Sequence, residues 1–319
     1  MLRRMTCNSC KQTTAHLLLV RPANFGPNVE TASSNRFQHD PSGDEFPEVA
    51  AAARCEFDAL VTALRQTGAL PFVVDDSVSP AKPDAVFPNN WVSFHRDGRV
   101  ILYPMEAPVR RLERRRDVLR QLSDAGLVRL DRVLDLSGLE QKGWFLEGTG
   151  SLVMDRGAGL AYASLSSRTH PRAVAEFARR TAMDVCVFRA TDQDGCPIYH
   201  TNVMLAIGTR FAVICAETIR PDAERRRVLR MLADSGREII EIDLAQMRAF
   251  AANILEVGTA TGGSLIAMSQ TALQALKSSQ ESQLRRHAEI LAVPVPTIER
   301  IGGGSVRCMI AEVFVPAST

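Results

Sequence analysis

Asn89-Asn90-Trp91-Val92-Ser93-Phe94-His95-Arg96-Asp97-Gly98-Arg99-Val100-Ile101-Leu102-Tyr103 holds the fold in miniature. Two short apolar runs flank the polar turn Arg96–Arg99. Asp-Gly between such runs is a strong hairpin signal and predicts a type I′ turn, in which both central residues take positive φ. Asparagines stand just ahead of the first strand. A charged segment follows, and Leu112, Leu119 and Leu122 share one face of a helix predicted from about Pro108 to Leu122.

The pattern recurs. Gly148-Thr149-Gly150-Ser151 leads into Leu152–Met154, a turn at Asp155–Gly159, a return through Leu160–Leu165 and a helix entered near Pro171. Proline suits a first helical turn, where its missing N–H would have no partner anyway. His200-Thr201-Asn202 leads into Val203–Ile207, a turn at Gly208-Thr209, Phe211–Ala216 and a helix after Pro221. A fourth copy starts at Gly262-Gly263 with Ser264–Met268 as its strand, a less distinct hairpin, and a helix over about Thr271–Leu291. Gly302-Gly303-Gly304-Ser305 opens a fifth, with Val306–Val315 as a closing strand, and Leu17–Val20 supplies the strand that this last module lacks. Hairpin-helix units of roughly 40–60 residues predict an α/β fold of radial modules, a five-bladed α/β propeller. On pattern alone the alternative is an ordinary α/β sandwich. In a closed array every pre-strand motif lies in the same phase, so distant positions converge on one pocket. Residues 1–15 read as an N-terminal tail and 16–319 as a single domain.

Composition narrows the function. The chain has 319 residues, 45% of them hydrophobic and 23% charged, which fits a globular protein and excludes disordered and collagen-like classes. Lys+Arg 38 against Asp+Glu 36 leaves +2, so no net field calls for nucleic acid or an anionic membrane. No apolar run approaches the roughly 20 residues of a membrane span, and Leu17–Val20 is too short for a secretory signal, so a cytoplasmic location is expected. Seven scattered cysteines read as thiols of a reducing compartment. Cys7 and Cys10 have the spacing of half a zinc site, but no second pair completes it and no metal site is assigned.

The reactive residues at the converging phases are Asp84, Asn90, Glu147, His200, Asn202 and Cys308. A cysteine, a histidine and a carboxylate are the parts of an activated-thiolate site. Taken singly, each also has a structural reading: Cys308 as a strand thiol, His200 as a hydrogen-bonded ring, Glu147 as a carboxylate satisfied by neighbouring backbone, and Asp84, Asn90 and Asn202 as turn caps.

Arg21-Pro22-Ala23-Asn24-Phe25-Gly26, Glu30-Thr31-Ala32, Pro83–Trp91, Phe145–Ser151, Tyr199–Val203 and Gly302–Cys308 resemble, as a set and in this order, motifs of the guanidino-group-modifying enzymes. This is the pentein or α/β-propeller superfamily of arginine deiminase, dimethylarginine hydrolase, agmatine deiminase and the amidinotransferases. More narrowly, the segments look like the citrulline-utilisation hydrolases (CtlX type). The resemblance runs from about Leu17 to Val315. It implies Cys308 as nucleophile, His200 as general acid and base, and Glu147 as the partner that favours a protonated imidazole. It implies that Arg110 (in Ala107-Pro108-Val109-Arg110) and Arg168 (in Ser167-Arg168-Thr169) bind the substrate α-carboxylate, and that Asp84 binds the α-amino group. Arg110 also sits among Arg111, Arg114, Arg115, Arg116 and Arg120, a run that reads equally as a solvated helix face. Backbone N–H groups of Gly302–Gly304 are candidate oxyanion donors. No metal or organic cofactor is implied. The partner is a small amino-acid substrate, and a homo-oligomer is neither required nor excluded.

One departure from the arginine-processing pattern is informative. Arginine deiminase-like members carry aspartates at the positions matching Asn90 and Asn202. A guanidinium is cationic and offers only donors, which suits carboxylates, whereas a neutral ureido group carries both an acceptor and donors, which suits amides. The expectation is hydrolysis of L-citrulline to L-ornithine, ammonia and carbon dioxide through a carbamoyl-cysteine. The alternatives are an arginine or methylarginine hydrolase, an amidinotransferase, and a non-catalytic ribosome-binding propeller. The loop around Asn24–Asn35, rich in Gly, Pro and Asn, is expected to cover the pocket.

Overall fold

A hairpin that feeds a helix must bring the chain back to the same edge, and a parallel third strand is the natural return after a helical crossover. The computed structural model, which describes residues 11–39 and 46–316, repeats this arrangement. β1 (His16–Arg21) is joined through α1 (Phe46–Gln66) to β2 (Leu70–Asp75). β3 (Val92–Phe94) and β4 (Val100–Leu102) lead through α2 (Pro108–Arg111) and α3 (Arg116–Asp124) to β5 (Val133–Asp135). α4 (Gly148–Ser151), β6 (Val153–Asp155), β7 (Leu160–Ser164), α5 (Pro171–Thr181) and β8 (Asp184–Phe188) follow. Next come β9 (Leu205–Ile207), β10 (Phe211–Ile214), α6 (Asp222–Asp234) and β11 (Glu238–Glu241). After α7 (Leu244–Arg248) the last full module holds β12 (Leu255–Gly258), β13 (Ser264–Ser269), α8 (Gln270–Ala275), α9 (Ser278–Arg285) and β14 (Glu289–Val293). β15 (Ala311–Glu312) pairs antiparallel with β1, Leu17 opposite Glu312, so both ends of the described chain share a sheet.

Among the described residues there are five three-stranded sheets, each with one antiparallel and one parallel pairing. None closes on itself, so the expected five-bladed array appears as five separate sheets. β15 packs on β3, β6 on β9, and β9 on β12. The apolar core follows the modules: α1 buries Ala53, Phe57, Leu60, Val61 and Leu64 along one stripe, and α3 buries Val118, Leu119 and Leu122.

Several sequence expectations are corrected. In the first hairpin only Gly98 takes positive φ (82°), and its N–H donates to the His95 carbonyl, so a type I turn ends on a left-handed glycine instead of forming a type I′ turn. The helix expected over 108–122 is two helices, separated where Arg114 and Arg115 turn their guanidinium groups to Glu140 and to Asp76 and Asp117. The helix expected over 271–291 ends at Arg285, and its tail is β14. Gly262-Gly263 lies inside the β12–β13 turn, so the fourth module begins earlier, at β12. The closing strand expected over 306–315 reduces to β15, because Ser305–Ile310 forms consecutive turns. Within the segment read as an N-terminal tail, Gln12 is buried and its Nε2 donates to the Met154 and Ile207 carbonyls. Cys7 and Cys10 lie outside the described residues.

A buried ion pair ties two modules. Arg237 Nη2 donates to Asp155 Oδ1 at 2.8 Å, its Nη1 lies 2.6 Å from Oδ2, and its Nε donates to the Gly208 carbonyl. Removing one partner leaves the other charge buried alone, so Arg237→Ala is expected to lose about 3–5 kcal/mol of stability in urea unfolding. Joint Asp155→Leu and Arg237→Met substitution is expected to lose less.

Candidate active site

The ends of the modules deliver the site. Pro88–Asn90 and Thr201–Val203 are single 3-10 turns just before β3 and β9, and Glu147 is the residue before α4. These short turns point Asn90, Glu147 and Asn202 inward from three sheets. Cys308 arrives from the turns that follow a π-helical segment, Ile298–Gly302. A π-bulge in a helix often marks a functional site. Asp84, Asn90, Arg110, Arg168, His200, Gly302–Gly304 and Cys308 line one small cavity.

His200 Nε2 lies 2.8 Å from Glu147 Oε2, and both side chains are buried. Glu147 Oε1 accepts from the Glu106 N–H, while Arg168 Nη1 and Arg110 Nη1 stand 3.6 and 3.7 Å from Oε2. Burial raises the pKa of Glu147, but Arg168, the His200 hydrogen bond and Arg110 outweigh it and hold the carboxyl well below its usual range. Burial dominates at His200 and lowers it to about 4, with Arg168 and Arg110 adding to the effect and Glu147 opposing it. Glu147 thus favours the protonated imidazole, in the expected direction, but burial outweighs it and leaves His200 neutral near pH 7. With Nε2–H on the ionised Glu147, Nδ1 carries the lone pair. Gly150 leaves room there, since a Cβ would stand 2.7 Å from Nδ1 and 2.5 Å from Asn90 Nδ2.

Arg110 is buried and is not part of a solvated helix face. Its Nε and Nη2 donate to Glu113 at 2.9 Å each, Nη1 donates to Asn90 Oδ1, and Asp84 Oδ2 lies 3.5 Å from Nε. Burial lifts Glu113 to about 7 against the pull of Arg110, with Asp84 and Glu147 adding to the rise. Because Arg110 offers only donors, the Asn90 oxygen must face it and the Asn90 Nδ2 faces away, buried without a partner. Arg168 donates from Nη2 to the Thr31 carbonyl and Ser34 Oγ, and stacks over Tyr199 with its centre 5.1 Å from the ring. Asp84 accepts from Asn28 Nδ2 at 2.7 Å. The loop expected to cover the pocket thus binds across it through Asn28, Thr31 and Ser34, with Asn35 donating to the Gly302 carbonyl. Of the expected oxyanion donors, the Gly303 N–H is occupied by the Glu299 carbonyl.

Cys308 Sγ accepts from Asn202 Nδ2 at 3.4 Å and from Asn253 Nδ2 at 3.3 Å. Asn253 is not among the site residues expected from the sequence. The available signal was its place two residues ahead of β12, the same phase as Asn90 before β3, hidden because the fourth module was started one strand late.

The neutral, buried His200 has a consequence for stability. Below pH 6.5 the unfolded chain binds a proton there that the folded chain refuses, so stability falls as pH drops from about 6.5 to about 4. The loss expected from His200 is roughly 3 kcal/mol, read as the unfolding free energy against pH, and His200→Gln is expected to flatten that slope.

No curated protein matches the chain. Among solved structures, the fold resembles the N-terminal domain of ArgZ, an arginine dihydrolase from the ornithine-ammonia cycle in cyanobacteria, with TM-score 0.72 and 16% identity over 95% of this chain and 99% of that one. Against apo ArgZ the figures are TM-score 0.71 and 17% identity over 94% of this chain, which spans 41% of that chain. A dimethylarginine dimethylaminohydrolase structure aligns with TM-score 0.64 and 16% identity, over 95% and 99% of the two chains. These likenesses show an α/β fold of pentein type. The family described as N,N dimethylarginine dimethylhydrolase, eukaryotic, matches residues 21–315. That span takes in every site residue from Asp84 to Cys308, and by it the chain belongs to this family.

Proposed function

We propose that the protein is a cysteine-dependent C–N hydrolase of a ureido amino acid, with L-citrulline as substrate. The observation that carries this reading is the state of two buried amides. Asn90 presents an unpartnered Nδ2 and Asn202 an unpartnered Oδ1. A donor and an acceptor together match a ureido carbonyl and its N–H groups. Against a guanidinium, which has no acceptor, the Asn90 donor would be left unpaired at a cost of about 1–3 kcal/mol. The same reading takes the five sheets as blades of one ring, whose pre-strand turns meet at one end. It makes the closest tie with citrulline-utilisation hydrolases, within a family named for dimethylarginine.

In this mechanism the Cys308 thiol gives its proton to the neutral His200 as Sγ attacks the ureido carbon. The tetrahedral adduct collapses with loss of the ornithine nitrogen, which takes that proton from the imidazolium, leaving a carbamoyl-cysteine. His200 then removes a proton from water, hydroxide adds to the thioester carbon, and sulfur leaves as the thiol. The released carbamate decomposes to ammonia and carbon dioxide. Glu147 holds the ring and offsets its transient charge. The α-carboxylate takes the remaining Nη N–H groups of Arg110 and Arg168, and Asp84 takes the α-amino group.

A second reading is arginine hydrolysed in two stages through citrulline, supported by the fold shared with arginine dihydrolase. One assay separates the two. The purified protein is expected to convert citrulline to equal amounts of ornithine and ammonia, and to release ammonia from arginine at least tenfold more slowly. Faster ammonia release from arginine supports the second reading. Cys308→Ala is expected to abolish turnover on either substrate. Asn90→Asp replaces the donor facing the cavity with a carboxylate oxygen, so kcat/KM for citrulline is expected to fall at least tenfold, measured as ornithine formed.

A further inference from the structure

Asn253 belongs to none of the motifs that carry the family resemblance, yet its amide touches the reacting sulfur. Its side chain is fully buried. Nδ2 donates at once to the Asn202 carbonyl, at 3.1 Å, and to Cys308 Sγ, at 3.3 Å. The Asn202 carbonyl is an acceptor only, so it fixes which end of the amide faces the sulfur. Asn202 Nδ2 approaches the same sulfur at 3.4 Å. Two N–H donors aimed at one sulfur match the anionic form of that atom, because a hydrogen bond to an ion is stronger than one to a neutral group. A thiol needing only burial would sit as well among aliphatic side chains, without a buried amide whose Oδ1 finds no partner.

We infer that Asn253 is a catalytic residue, the second donor of a two-amide cradle that meets the Cys308 sulfur as it loses its proton to become the nucleophile, and that ties the sulfur to Asn202. The inference rests on Cys308 being the nucleophile in the proposed reaction, but it does not depend on which substrate is used. As the thiol loses its proton the two N–H groups are already in place, and as the sulfur becomes a leaving group they are in place again.

Alkylation of Cys308 by iodoacetamide, followed by peptide mass spectrometry so that Cys55 and Cys196 are scored separately, tests this on the full chain without substrate. In Asn253→Ala the pH midpoint of Cys308 alkylation is expected to rise by about one to two units relative to wild type, since a donor to a charged acceptor is lost. Citrulline kcat is expected to fall by about tenfold or more with KM within threefold. Asn253→Asp keeps the shape but brings an oxygen to the sulfur, and is expected to raise the midpoint at least as far. Folded variants with an unchanged midpoint overturn the inference, and so does loss of the fold in both, because the role would then be structural. A shifted midpoint in a protein that ignores citrulline overturns the substrate reading and leaves this one standing.

Discussion

A carboxylate with no access to water survives as an anion only if the protein replaces what solvent gave it, and Glu147 is in that position. Arg110, Arg168, the Glu106 N–H and the His200 ring surround its two oxygens. Each of these groups is itself placed by something else. Glu113 holds Arg110, the loop oxygens of Thr31 and Ser34 hold Arg168, and Ser151 Oγ accepts from the Glu147 N–H and donates to the Arg168 carbonyl. The loop, two helix starts and two sheets therefore meet through one charge. The arrangement is stable only as a set, since a buried ion deprived of its partner is a large penalty. Burial first, and Arg168 and Arg110 after it, keep His200 neutral at rest against the pull of Glu147, ready to accept a proton.

The parts of this site differ in how visible they were in the sequence. Asn90, Glu147, His200 and Asn202 stand before strands that alternate and are bounded by clear turns, so hydrophobic pattern and turn residues located them. Asn253 stands before β12, whose Leu255-Glu256-Val257 was eclipsed by the more conspicuous Ser264–Met268 run. The third strand of each module was invisible for a related reason. β5 is three residues with a single buried side chain, and β11 carries a glutamate at each end, so neither shows a run that pattern alone separates from the end of a helix. The family resemblance singles out Arg110, but its burial is not legible from the local pattern. A basic run on a short helix looks solvated until Glu113, one turn away, is seen to draw one member of it inward, a decision made by tertiary burial and not by local preference.

The amides give the site its chemical character. Asparagine is neutral, so it adds no charge to a cluster already balanced around Glu147, and it carries a donor and an acceptor whose orientation its neighbours set. Arg110 orients Asn90, and the Asn202 carbonyl orients Asn253. In the proposed reaction, recognition is written in directions of hydrogen bonds, and a carboxylate at the same places would change both direction and charge.

The pairing of β1 with β15 joins strands that translation separates widely, with Thr14 and Val313 bonded across a gap of 299 positions. During synthesis β1 must wait with one edge unsatisfied while every other sheet is made, and an open edge is where chains associate wrongly. The sulfur at Cys308 emerges only just before the strand that covers that edge. A growing chain therefore gains the sulfur proposed as nucleophile and the seam between β1 and β15 within a few residues of one another.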